Sequence, residues 1–232
     1  MGATTRSMTR GDLARTAQVH RAELPHGLFP ELGVQFLRDY HRTYLDSPHA
    51  VALVATSNDE VVGFIVGTVD EYAHRDWVLH NHGVRLTLRG LLGLVTHPRT
   101  LWWFLRTRVG RYLRAMLRAA RRRIARRADA GGPDARQGTS SDAVGGRDVV
   151  GVLTHVAVDP AARGLGLGAQ LTAEFTTAAH ERGSTEVRLV TRVEGGAGGF
   201  YESLGWERTE ERGRDGTPVV EYRLRAPHTD AR

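Results

Sequence analysis

The sequence predicts a mixed, twisted α/β sheet with helices on both faces, and three stretches carry that prediction. Val51 to Ala55 and Val61 to Asp70 are apolar strand-like runs around Ser57-Asn58-Asp59-Glu60, the pattern of a β-hairpin. Thr154 to Val158 reads as a buried strand, followed by a tight turn and a glycine-rich loop, Gly164 to Gly168, that opens a helix. Glu186 to Thr191 then alternates as a further strand. Strands and helices interleaved in this way bury their apolar faces only as a sheet covered by helices.

The remaining elements follow in chain order. Ala3 to Met8 supplies a short first strand, and Thr9 or Asp12 starts a helix reaching about Leu24. Pro25 to Pro30 is expected as a loop. Glu31 to Leu45 is expected as a second helix, with Leu32, Phe36, Tyr40 and Tyr44 on one face. Gln170 to Arg182 is helical in pattern, with Leu171, Phe175, Ala178 and Ala179 together and Gly183 as its stop. The last residues, Pro227 to Arg232, have the composition of a frayed tail.

Composition narrows the function classes. A chain of 232 residues that is 41% hydrophobic and 25% charged can bury one substantial core, so a single domain over 1–232 is expected. No window approaches 18 consecutive apolar residues, and the N-terminus carries no apolar signal region, from which a cytoplasmic protein is expected. The absence of cysteine excludes disulfides, thiolate metal sites and a cysteine nucleophile. Eleven histidines show no metal-ligand spacing, so no metal is expected. Every basic residue other than histidine is arginine, which a GC-rich coding sequence would explain.

Charge is unevenly placed. From Trp77 to Ala128 there is no Asp or Glu and there are thirteen arginines, so the rest of the chain is net −7 against a total of +6. This stretch, 77–128, reads as an Arg-rich helical insertion between the third and fourth strands. Pro98 suits the first turn of a helix to about Arg127, with Leu101, Leu105, Val109, Leu113 and Met116 on one side and Arg108, Arg111, Arg118 and Arg122 on the other. Three roles are open to it: packing on the domain or on a second subunit as a homodimer, lying on an anionic membrane surface so that the protein is peripheral there, and attracting an anionic substrate or nucleic acid. Residues 129–147, rich in Gly, Ser, Asp and Ala, are expected to be a flexible loop.

The glycine loop concentrates the chemistry. Glycines at a strand-to-helix junction aim backbone N–H groups and the positive end of a helix at one point, which suits a phosphate or pyrophosphate. Gly164-x-Gly166-x-x-Ala169 fits the dinucleotide fingerprint, with Glu186 near the place of its ribose-binding acid. Arg163-x-x-Gly166-x-Gly168 fits a second signature, and Ala197-x-x-Phe200-Tyr201-x-x-x-Gly205-Trp206 follows it in the order and spacing of the same group. On these motifs, Val149 to Leu224 resembles the GNAT superfamily of N-acetyltransferases. Asp159 to Ala162 separates strand from glycines, and only one further strand–helix unit follows, which disfavours the dinucleotide alternative.

The resemblance implies the GNAT fold and a direct acetyl transfer from acetyl-CoA to an amine of a small molecule. Val156, Ala157 and Val158 would run beside the pantetheine, and the N–H of Val158 would face the thioester oxyanion. Arg163, Gly164, Leu165, Gly166, Leu167, Gly168 and Ala169 would hold the pyrophosphate. Tyr201 matches the family's general acid. His155 lies on the strand beside the expected thioester and is a candidate base, although strand alternation sets it opposite Val156 and Val158 unless a bulge intervenes. Glu71, Asp70, Glu23 and a water relay are the other candidates. Where many relatives carry Asn, this chain has Glu194, a base, an amine-binding group or a solvated loop acid. The loop from Glu23 to Phe29 is implied to shape the acceptor pocket. A peptide or protein amine, or a silent scaffold bearing the arginine helix, are the competing functions.

Overall fold

The computed structural model describes residues 2–96, 149–214 and 217–226. The expected helix from Pro98, the loop at 129–147 and the C-terminal tail lie outside these residues. The chain divides into one unit formed by 1–90 with 148–232 and another formed by 91–147.

Seven strands build the first unit's sheet in the order β1-β2-β3-β4-β5-β7-β6. They are β1 (Thr4–Ser7), β2 (Ala50–Ser57), β3 (Glu60–Thr68), β4 (Val150–Val158), β5 (Glu186–Arg192), β6 (Glu207–Arg214) and β7 (Thr217–Arg225). Only β4 and β5 run parallel; every other neighbouring pair is antiparallel. The β2–β3 hairpin turns on Asn58 and Asp59, both at positive φ, as a tight two-residue turn requires.

Helices cover both faces. On one lie α1 (Leu13–Glu23), the four-residue α2 (Leu28–Glu31) and α3 (Val34–Asp46). Phe36, Leu37, Tyr40, His41 and Tyr44 recur at helical spacing on α3, and all but the half-buried Tyr40 are buried. The helix starts at Val34 rather than Glu31 because Gly33, at φ 91°, breaks the run, and the expected loop before it holds the short turn α2. After β3 come α4 (Glu71–Asn81) and α5 (Gly83–Thr96), for which the sequence pattern gave no bounds. Asp70 caps α4 by accepting from the Ala73 N–H at 3.0 Å. Asp39 of α3 holds α5 through Arg85 at 2.6 Å and Arg89 at 3.2 Å.

The opposite face carries α6 (Leu167–Glu181) and the short α7 (Gly198–Ser203). Leu167, Leu171, Phe175 and Ala179 of α6 form one buried stripe against Ile65, Leu153, Val187 and Leu189. Each of the three larger side chains contributes about 2 kcal/mol by leaving water. This stripe fixes where the N-terminus of α6 sits, beside the end of β4.

Candidate active site

The glycine loop begins where β4 ends. Asp159 closes a single 3-10 turn over Pro160–Ala162 by accepting from the Ala161 N–H, and Arg15 pins it at 3.0 Å. Gly164 and Gly166 then take φ of 79° and 75°, conformations costly for any side chain but glycine. Gly166 is the N-cap of α6 and supplies no side-chain cap. From Gly164 to Ala169 no backbone N–H finds a partner among the described residues. Six consecutive amides and the positive end of α6 are therefore left unpaired, an arrangement that suits an anion.

Beside the loop the sheet opens. The parallel β4–β5 pairing runs from Val150–Glu186 to Val152–Arg188 and stops there. Beyond it β5 pairs only with β7, and β4 only with β3. The Asp159 N–H bonds the Val62 carbonyl at 2.7 Å, so residues alternating with it along β4 turn their amides the other way. Val156 and Val158 are those residues, and their N–H groups point into the gap between β4 and β5. These amides have no partner strand in the sheet and could pair with an extended one.

Tyr201 stands on α7, 5% exposed, with its ring against Phe200, Trp206 and Tyr222. Burial raises its hydroxyl to about 12, so it stays protonated at neutral pH. The Tyr201 hydroxyl makes no hydrogen bond among the described residues, whereas neighbouring Tyr222 donates to Glu202 at 2.8 Å.

On the α1/α3 face the decisive feature is a bulge. Val66 pairs with His155 and Gly67 with Leu153, which leaves Thr154 as the extra residue of β4. It falls one position before His155, so His155 stays on the face opposite Val156 and Val158. Val156 and Val158 pack with the α6 core, whereas Ala157 packs with the α1/α3 core. His155 Nε2 meets the Tyr40 hydroxyl at 3.2 Å, and Tyr40 meets Tyr44 at 2.8 Å. Tyr44 in turn bonds Thr154, and burial raises both phenols.

Behind His155 the network continues. His20 lies 4.6 Å from His155, ring centre to ring centre, and its Nδ1 is 2.9 Å from His41 Nε2. His41 Nδ1 is 3.0 Å from Thr16 Oγ1. Thr16 donates to the Leu13 carbonyl, so it accepts from His41, whose free Nε2 then accepts from His20. Burial lowers His20 to about 4, and burial with the adjacent His20 lowers His155 to about 3; His41 is pushed well down for the same reasons. All three are neutral at pH 7. Among the described residues no set of three His, Asp or Glu is placed to hold a metal.

The other sequence candidates fall elsewhere. Arg163 donates to the Val158 carbonyl at 3.2 Å and pairs with Glu23. Glu23 and Asp70 are thus occupied, by an arginine and by a helix cap. Glu71 is exposed in the first turn of α4 and makes no ion pair among the described residues. Glu194 is exposed in the turn after β5, whose tightness is set by Gly196: a β-carbon there would lie 2.0 Å from the Arg192 carbonyl. Sequence reasoning placed Tyr40 and Tyr44 on one helix face and assigned no role to His20 or His41. Their only signal was polar atoms at core spacing, which does not reveal what they meet.

Residues 143–226 match the acetyltransferase (GNAT) domain family. Among curated proteins none matches this sequence. Solved structures share the fold at low identity. One is the putative acetyltransferase yncA from Salmonella typhimurium with its cofactor acetyl-CoA, at 14% identity and TM-score 0.56, covering 100% of this chain and 98% of that one. A second is the ribosomal-protein-S18-alanine N-acetyltransferase from Escherichia coli, at 12% and 0.53, covering 99% of each chain. A third is aminoglycoside 6'-acetyltransferase type Ii, at 13% and 0.53, covering 97% of this chain and 99% of that one. The match to that domain family thus spans β4 to β7, and the seven-stranded sheet as a whole shares the fold of these acetyltransferase structures.

Proposed function

We propose that this chain moves the acetyl group of acetyl-CoA to the amine of a small molecule by direct attack in a ternary complex. The observation that supports this most is the continuity of two unsatisfied backbone surfaces: six unpaired amides at the α6 N-terminus and the amides of Val156 and Val158 lining the gap. The loop suits a pyrophosphate, and the gap suits an extended amide-bearing arm such as pantetheine. With the pyrophosphate at the loop, the arm runs back along β4 toward the bulge. Its thioester end therefore meets Val156, not Val158, and the Val156 N–H is the oxyanion donor.

The neutral amine attacks the thioester carbon, and the carbon–sulfur bond of the tetrahedral intermediate breaks. Tyr201 gives its proton to the departing thiolate and regains one from water. The proton lost by the new amide nitrogen passes to water or to Glu71. His155, held neutral, orients the acceptor by hydrogen bonding and does not store the proton. Relatives of this fold include enzymes named for a ribosomal-protein alanine and for aminoglycosides, so the fold leaves the acceptor open.

The test is mass spectrometry of an amine panel and of candidate peptides after incubation with acetyl-CoA. Small amines gaining one acetyl group, with peptides unchanged, is the expected result. Acetylated peptides alone would move the reading to a peptide acetyltransferase.

A further inference from the structure

We infer that the acceptor is a monoamine carried on an aromatic or bulky apolar body, seated against Phe29 and Tyr40 with its nitrogen at Thr154 and His155. The inference rests on the acetyl-transfer reading above and adds the substrate class to it.

The seat is built from rings. Phe29 of α2 lies 4.7 Å from Tyr40 and 5.4 Å from Phe36, centre to centre, and Tyr40 lies 5.7 Å from His155. The members differ in exposure. Phe36, Tyr44, His20 and His41 are buried, while Phe29, Tyr40, Thr154 and His155 are half-buried. The cluster is therefore closed behind and open in front. The bulge sets Thr154 and His155 at the open end, on the stretch of β4 that has parted from β5. The Tyr40 hydroxyl is engaged by Tyr44 and His155, so what Tyr40 adds to the half-buried front is its ring, alongside Phe29. Aromatic and apolar groups gain from such rings by burial and by offset or edge contact.

Charge disfavours a polycation. Three carboxylates of this helical layer are matched by arginine: Glu23 by Arg163, Asp39 by Arg85 and Arg89, and Asp46 by Arg42 and Arg10. Glu71 makes no ion pair among the described residues and acts electrostatically on Tyr44, the partner of Thr154, and on Arg188. Several ammonium groups at once would face arginines without acids to pair with them.

The experiment compares 2-phenylethylamine, propylamine and spermidine as acceptors by CoA release. A thiol reagent reads only CoA, because the chain has no cysteine. The expected kcat/KM for 2-phenylethylamine exceeds that for both others by about tenfold or more, as one well-filled apolar pocket provides. Phe29→Ala and Tyr40→Ala collapse that ratio through KM, while Tyr40→Phe, which keeps the ring, preserves it. Saturation transfer from the wild-type CoA complex to the phenyl protons checks the seat without turnover. Equal kcat/KM for all three amines, or spermidine fastest, overturns the inference. Calorimetry with acetyl-CoA on the same preparation separates the two levels. Binding without amine preference defeats the substrate class alone, and no binding defeats both.

Discussion

The two ends of the proposed reaction groove are made of different material. At the loop end, the ligand-facing groups are backbone amides from Gly164 to Ala169 and from Val156 and Val158, set by φ angles and by the place of α6 on the sheet. At the acceptor end they are side chains, His155, Tyr40, Tyr44 and Thr154, drawn from two elements and held by hydrogen bonds between residues up to 115 apart in sequence. A backbone site tolerates most side-chain changes and fails when φ or the ligand's space is altered. A side-chain site depends on each partner and on its protonation state.

The largest effect should follow a change of backbone. A β-carbon at Gly166 would meet open space within 4 Å, on the loop proposed to hold the pyrophosphate, while φ 75° adds strain. Gly166→Val should weaken acetyl-CoA binding about 100-fold, corresponding to about 3 kcal/mol of lost amide contacts, by calorimetry. Replacing exposed Leu165 by Ala should leave it within about threefold, since Leu165 offers its amide rather than its side chain. Comparable losses in both variants would break the distinction between the two ends.

Next in size is Tyr201→Phe, expected to lower kcat about 10- to 100-fold with little change in acetyl-CoA affinity. Unchanged turnover would remove Tyr201 from the chemistry. Its raised value also has a stability consequence. The folded state keeps a proton that the unfolded chain loses near pH 10, so this contribution is present below pH 10 and is lost as pH rises toward 12.

The histidines sharpen the comparison from the acid side. His20 and His155 bind their protons less tightly when folded, at about 4 and about 3, than when unfolded. Their contribution is present above about pH 6.5 and declines as pH falls toward those values, as the unfolded chain takes up protons first. Melting temperature should fall between pH 6.5 and 4, and less steeply in His20→Gln measured against its own neutral-pH value. The kcat profile should show no inflection near 6.5 that His155→Gln abolishes. Such an inflection would make His155 the base.

The smallest effect is expected at Glu194. It is exposed, and Glu194→Gln should change kcat/KM less than about threefold. A loss beyond tenfold would place it on the acceptor amine.

The loop end was legible in the sequence because its determinants are local. Glycines at fixed offsets, a strand before them and an apolar helical stripe after them are all contained in Thr154 to Ala179. Hairpin, β4, α6 and β5 follow from the same short-range patterns. The acceptor end was not legible for the opposite reason. Tyr40 and His41 read as one amphipathic face, and nothing within reach of either shows that β4 bulges at Thr154 to meet them. Arg163 fits the signature by position, and its guanidinium pairs with Glu23, 140 residues earlier, a contact no local pattern shows. Only the assembled sheet brings α1 to that corner.

The central claim is that the loop and the parted strands hold acetyl-CoA. Calorimetric titration of the full chain with acetyl-CoA, with NADH as the parallel control, tests it most directly. The account predicts micromolar binding of acetyl-CoA, lost in Gly166→Val, and no binding of NADH. Binding of NADH in preference, or no binding of acetyl-CoA, longer acyl-CoAs or free CoA, would contradict it.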